Sequence, residues 1–332
     1  MKDILKRIVG TLYIPAAIYI IMLIIARANG LTFFGNMVTW QNLIQSFAAT
    51  ATIAYALAIQ IKNGRFDFSG GAVMTLGAIL SVNIINRLSV SWPVFLIVSI
   101  LVCTVLSTLV GVLYVYGRLP VIITTIGGAI LYESFTLLID RGRGISISAN
   151  AALNILGKNT GMCFALVVVS ALVYFFFTTY TITGKHADLL ANNPQAAVNI
   201  GINERKNVLT TFVITGALYG IATVIFAAQS ASVSAVSSTL GTISTAFGAI
   251  LPVFMGFYIG RFSKDTVGII FSSFAVGTFK YSLSVISPAG YAGAVTNIVY
   301  GIFLVVFFLI SHQGQAVIAW CKKRLAKPAA QG

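Results

Sequence analysis

Apolar runs of about 20 residues recur from one end of this chain to the other, and they constrain its fold more than any other feature. A bilayer core about 30 Å thick needs roughly 20 residues of helix to cross it, because a segment in hydrocarbon must satisfy its own backbone groups. Runs of that kind lie near residues 11–28, 41–61, 69–86, 93–116, 119–139, 161–180, 208–229, 239–259, 266–283 and 293–311. Only 8% of the residues are charged and 58% are hydrophobic, with a mean hydropathy of +0.95. An ordinary soluble domain is about a quarter charged, so too few charges remain here to clothe a water-facing surface. The expectation is an all-α polytopic membrane protein with about ten transmembrane helices, residues 1–332 forming one transmembrane domain in a lipid bilayer. The first run, "TLYIPAAIYIIMLIIARA", is long enough to span and has no small-residue cleavage site after it, so it reads as a retained helix.

A net charge of +14 would suggest a nucleic-acid partner in a soluble protein. Here the basic residues follow the gaps between apolar runs, and no nucleic acid is expected. With both termini inside, the inner segments hold Lys2, Lys6, Arg7, Lys62, Arg65, Arg118, Lys185, Arg205, Lys206, Arg261, Lys264, Lys322, Lys323, Arg324 and Lys327. The outer segments hold only Arg27, Arg87, Arg141, Arg143, Lys158 and Lys280. That bias places both ends in the cytoplasm and the chain in the plasma membrane.

The chemistry that is missing narrows the function. Cys103, Cys163 and Cys321 are too far apart for a metal-ligand spacing or a disulfide framework. His186 and His312 are the only histidines, so no HExxH zinc motif exists, and no G-x-S-x-G elbow or Walker phosphate loop is present. Glu133 is the one acid well inside a run, and Asp140 lies near that run's outer end. Seven helical positions place them about 10 Å apart, too far for a carboxylate dyad. No catalytic residue, metal or cofactor is expected, and any ATP hydrolysis belongs to another chain.

Residues 60–74, "QIKNGRFDFSGGAVM", set an Asp, an Arg and three glycines between two apolar runs. One reading is an inner turn marked by Lys62 and Arg65, with Asp67 capping the next helix. The other is Gly-broken backbone at membrane depth, tolerated only where it is buried in protein or lines a cavity. In that case Asp67 and Ser69 join Gln41, Asn42 and Gln45 on the preceding helix and Thr124, Thr125 and Glu133 on the fifth. Uncharged amides and hydroxyls suit a neutral polyhydroxylated solute. Glu133 is a functional candidate as an intramembrane acid, or a protonated acid hydrogen-bonded between helices.

Residues 181–207, "TITGKHADLLANNPQAAVNIGINERKN", form the longest inner loop and read as short helices. Asn193 suits an N-cap, Pro194 the first helical position and Gly201 a C-terminal stop. The two-turn helix between them, with Ala196, Ala197 and Ile200 on one face, is too short to stand alone in water and needs a surface to rest on. This stretch resembles the cytoplasmic signature of sugar-type ABC importer permeases, the ribose, monosaccharide and autoinducer-2 class, close to G-x-N-x-x-A-A-x-x-x-G-I. Gly184, Asn193, Ala196, Ala197, Gly201 and Ile202 match in order. "GRFDFSGG" is similar to the same family's G-x-D-L-S-x-G element, with Phe68 for Leu. The resemblance covers nearly the whole chain. It implies that the 181–207 region couples to cytosolic ATPase subunits, that a second permease, identical or different, completes the path, and that an extracytoplasmic binding protein delivers the solute. The chain departs from the family in "STLGTISTAFGAI" and "LPVFMGFYIGRFSKDTVG", where an acid and most of the turn glycines are replaced. A self-contained secondary transporter or channel is the alternative class.

Overall fold

The structure, a computed structural model, describes residues 2–30, 36–88, 91–147, 151–230, 232–286, 294–295, 297–306 and 309. Cys321, His312, the basic residues Lys322, Lys323, Arg324 and Lys327, and residues 293, 296, 307–308 and 310–311 of the last apolar run lie outside the described residues. The order is α1 (Lys2–Ala28), α2 (Met37–Lys62), α3 (Gly70–Leu88), α4 (Trp92–Gly117), α5 (Val121–Leu138), α6 (Ala151–Lys158), α7 (Thr160–Tyr180), α8 (Ile182–Asn192), α9 (Pro194–Asn199), α10 (Glu204–Ser230), α11 (Ile243–Gly260) and α12 (Asp265–Ile286). A short apolar helix, α13 (Asn297–Val306), follows. Among the described residues eight helices are long and apolar enough to cross a membrane: α1, α2, α4, α5, α7, α10, α11 and α12. The one strand pair among them is two residues long, β1 (Ile145–Ser146) antiparallel to β2 (Ser232–Val233). The protein is therefore an all-α polytopic membrane protein.

Small residues bring the helices together. On α10 the Gly216 and Gly220 faces lie against the backbone of Thr104 and Ile100 on α4, so a Cβ at either would meet main chain. Gly268 of α12 sits against the carbonyl of Gly256 on α11, and Gly256 in turn against Ile269. These contacts are the close approaches that small-xxx-small spacing permits where lipid supplies no hydrophobic drive between helices. The interior they enclose holds Tyr55, Tyr219, Phe212 and Phe95. Meanwhile Ile97, Leu101 and Val105 on α4 and Phe164, Val168 and Leu172 on α7 are turned outward. An outer surface so apolar has hydrocarbon, not water, as its solvent.

The bundle has two unlike ends. One carries α8, α9, the N-terminus of α10 and the 261–265 turn, and α1 begins there too, with Gly10 against the Phe262 ring. The other carries the β1–β2 clasp, α6 and the start of α2.

Candidate functional site

Helices α8 and α9 form a ledge across the first end, and local chemistry explains each corner. The Thr181 hydroxyl accepts from the Gly184 amide at 3.0 Å and donates to the Phe177 carbonyl at 2.6 Å, which folds α8 back under α7. Gly184 lies so close to that same carbonyl that no side chain would fit. The Asn193 side chain accepts from the Ala196 amide at 3.0 Å, Pro194 opens α9, and Gly201, at φ 92°, ends it. Leu190, Ala197 and Ile202 pack together beneath. The Asn207 amide donates to Thr183 O at 2.9 Å and ties α10 to the ledge. Of the three residues expected on one inward face only Ala197 is buried; Ala196 is exposed, and Ile200 is 71% exposed. In so short a helix the spacing of apolar residues leaves the choice of inner face to the packing, and Leu190 and Ile202 select Ala197.

Ion pairs fasten the ledge to the bundle. Lys62 at the end of α2 lies 2.9 Å from Asp265 and 3.8 Å from Asp188 of α8. Burial pushes the Asp188 carboxyl above its ordinary value, Lys62 pulls it back and Asp265 adds to the rise. Next to this cluster Gly64, at φ 70°, sits against the Ala191 backbone, a Cβ there falling 3.2 Å from Ala191 Cα. Both the left-handed backbone and the close approach require glycine.

From Gly64 the chain does not turn along the surface but runs back into the bundle. Arg65 is still at the charged end, its guanidinium 3.7 Å from Glu204 and 5.9 Å from the Tyr114 ring. Beyond it the side chains alternate. Asp67 and Ser69 are buried, while Phe66 and Phe68 face the other way and meet the Phe254 and Phe247 rings at 6.3 and 5.3 Å. Asp67 accepts from the Ser69 amide at 2.9 Å and the Ser69 hydroxyl at 2.6 Å, and its second oxygen accepts from Tyr219 OH at 3.4 Å. Tyr219 lies about 22 Å along α10 from Glu204 at 1.5 Å per residue. Asp67 does not cap α3 as the first reading expected, because its local bonds go to Ser69, the residue before the helix, and not to the helix's own amides. The segment's Gly64 end is exposed, Arg65 is already buried, and Asp67 lies deeper in the bundle, where through Ser69 it braces the residue before α3. Irregular backbone is stable there because protein buries it and supplies its hydrogen bonds.

A second irregular segment enters from the opposite end and meets the first. Residues 236–242 are held by α5: Val236 N–H donates to the Thr136 hydroxyl at 2.9 Å. Glu133 accepts from Leu240 N at 2.7 Å, Thr242 N at 2.8 Å and the Thr242 hydroxyl at 2.6 Å. The carbonyl of Thr242 rests on Gly71, in the first turn of α3, where any Cβ would collide with it.

At that opposite end lies a cavity of about 490 Å³ between α2, α10, α11 and α12. Asn42, Gln45, Thr50, Gln229, Ser244 and Thr245 give it a polar wall, and Lys280 of α12 reaches it too. Gln45 donates to Lys158 O and its own carbonyl accepts from Gln229, both at 2.9 Å. The Lys280 ammonium donates to Gly248 O at 3.1 Å and lies 5.0 Å from the centre of the Tyr300 ring.

Of the residues proposed for a path, Asn42 and Gln45 line this cavity, and Gln41 is exposed beside them at the start of α2. Thr124 and Thr125 are buried and bond back to the carbonyls of Pro120 and Ile122. Asp67, Ser69 and Glu133 are buried and lie off the cavity wall. Lys280 was assigned to an outer segment by charge distribution, yet it stands within α12. Its one sequence signal is a lysine inside an otherwise apolar run. No group of His, Cys, Asp and Glu able to hold a metal occurs among the described residues.

Residues 39–309 match the family described as "Branched-chain amino acid transport system / permease component". Several proteins are similar over most of their length. A fructose import permease protein of Bifidobacterium longum is 22% identical over 92% of each chain. A ribose import permease protein of Haemophilus influenzae is 25% identical over 75% of this chain and 78% of its own. An autoinducer 2 import system permease protein of Escherichia coli is 22% identical over 85% of this chain and 87% of its own.

Proposed function

This chain belongs to that permease family, and on this premise we propose that it is the membrane-spanning subunit of an ATP-driven importer for a sugar or similar small polar solute. Its similarity to permeases named for fructose, ribose and autoinducer 2 import supports that solute class. It works in the plasma membrane as one half of the translocation path, with a second permease enclosing the other half. It is not itself an enzyme. Cytosolic ATPase subunits supply the free energy, and an extracytoplasmic binding protein delivers solute to the cavity end. Such a protein shifts the permease between states only by its difference in affinity for them.

The observation that carries this reading is the ledge. Its inner side is fixed by Leu190, Ala197 and Ile202 and by the Lys62 pairs, while Val198 and Ile200 stand exposed on a short helix outside the bundle. Rigidity inward and apolar surface outward suit a docking element that passes on a push. Gly184, Asn193, Pro194, Ala196, Ala197, Gly201 and Ile202 shape that element. A displacement of α8 moves Lys62 and Gly64 with it, and through residues 65–69 reaches Tyr219 and Thr242 at depth. The ledge end is then cytoplasmic and the cavity end outward.

Ile200→Glu tests the assignment. A hot-spot residue at a protein interface is worth 2 kcal/mol or more, so its loss should lower ATP-dependent fructose or ribose uptake by about tenfold or more. The ATPase should no longer co-purify, while the chain inserts at normal levels. Unchanged co-purification and uptake would reject the ledge as the docking element.

A further inference from the structure

Building on the permease reading, we propose that the cavity is a solute site for a polyhydroxylated oxyanion, a sugar acid or sugar phosphate, with Lys280 as its counter-charge. The starting point is charge balance. An ammonium inside a membrane helix is costly and is found paired or facing a polar cavity. Lys280 has two neighbours that orient it, Gly248 O at 3.1 Å and the Tyr300 ring at 5.0 Å, and neither carries a negative charge. Gly248 leaves room for the ammonium, since a Cβ there would stand 3.1 Å from the Lys280 nitrogen, tighter than an ordinary contact.

No acid among the described side chains lines the cavity, and each described acid is engaged elsewhere. Asp67 is held by Ser69 and Tyr219, and Glu133 by Leu240 and Thr242. Asp188 and Asp265 share Lys62, and Glu204 faces Arg65. The positive charge is therefore uncompensated within the described part of the chain, in a wall that also presents neutral amides and hydroxyls. An anionic group on the solute completes the pair through charge-assisted hydrogen bonds, and Asn42, Gln229, Ser244 and Thr245 remain for its hydroxyls. A volume of about 490 Å³ is within the range of small-molecule sites and admits a monosaccharide. Composition alone favours a neutral solute; Lys280 is the residue that changes that expectation.

The test is thermal unfolding of the full-length chain in nanodiscs with sodium gluconate, glucose 6-phosphate or glucose, ionic strength being matched with sodium chloride. A ligand that binds only the folded chain raises Tm with its concentration. At least one of the two anions should stabilise the wild type with an apparent affinity on the order of tenfold better than glucose. A preference for gluconate assigns a carboxylate, and one for glucose 6-phosphate a phosphate. Lys280→Met, which fills similar space, should lose the preference, and Lys280→Arg should keep it. Equal stabilisation by glucose, no stabilisation by either anion, or an anion preference that survives in Lys280→Met would each overturn the proposal. The wild-type contrast between anion and glucose decides the matter even if Lys280→Met fails to fold. ATP-dependent uptake by the complete importer tests the permease reading separately, so this proposal can fail while that one stands.

Discussion

Residues 63–69 and 236–242 are counterparts: each leaves one end of the bundle, enters the interior as irregular backbone and begins a helix there. They meet where Thr242 rests on Gly71. Their fastenings differ. Asp67 is braced mainly by Ser69 two residues away, with one longer bond of 3.4 Å from Tyr219. Glu133 instead reaches across from α5 and gathers three donors at 2.6–2.8 Å, two of them backbone amides at the start of α11. The segment tied to the ledge is thus lightly latched to the rest of the interior, and the one at the cavity end is stapled. On the proposed function, with the drive entering at the ledge, that asymmetry is required, because a push moves one wall only if the facing wall holds still.

Glu133→Ala should have the largest effect. It leaves the amides of Leu240 and Thr242 without their acceptor, and a buried unmet donor costs about 1–3 kcal/mol each. A loss of roughly 3 kcal/mol or more in unfolding stability is expected, measured in nanodiscs or mild detergent, with uptake falling in step. A cost no larger than that of changing Asp67 would erase the distinction between staple and latch.

Gly71→Ala comes next, because it acts on the meeting point itself. The new methyl has the Thr242 carbonyl, a backbone atom, in its way, and overpacking of this kind costs about 1–3 kcal/mol. Gly127→Ala on α5 is the matched control, since nothing lies within 4 Å of a Cβ there. In a helix interior that change should stabilise by about 0.5–1 kcal/mol. Opposite signs for the two glycines would sharpen the picture, and equal small effects would mean that the two segments do not bear on each other.

The same pair of segments shows what sequence can and cannot reveal here. The helices were legible from apolar runs, and the ledge from Asn193, Pro194 and Gly201, because length, capping and backbone preference act within a few residues. Asp67 was legible as a local acceptor ahead of α3 for that reason, although its bonds go to Ser69 and not to the helix's own amides. Its depth was not, since only the packing against Tyr219 fixes it. Glu133 stood out as an intramembrane acid, but its partners lie 107 and 109 positions away, and no local pattern points to them. Charge distribution alone counts Lys280 with the outer segments, and only the cavity formed with α2, α10 and α11 gives it a role. Ile200 was placed with Ala197 on spacing alone, where two turns of helix carry too little periodicity to choose a face.

Asp67→Asn is the mildest change and the most discriminating. Asparagine keeps an oxygen that accepts from the Ser69 amide, so the local brace survives and the stability loss should be about 1 kcal/mol or less. What it removes is the second oxygen, which accepts from the Tyr219 hydroxyl and is replaced by an NH2 donor, and with it the latch between the segment leading from the ledge and α10. Uptake should therefore fall more than stability does, with the ATPase still bound and still hydrolysing ATP. That uncoupling separates a part that transmits motion from one that merely fills space. If instead uptake and stability drop together, as expected for Glu133→Ala, the two segments are fastened alike and the ledge has no softer side to push.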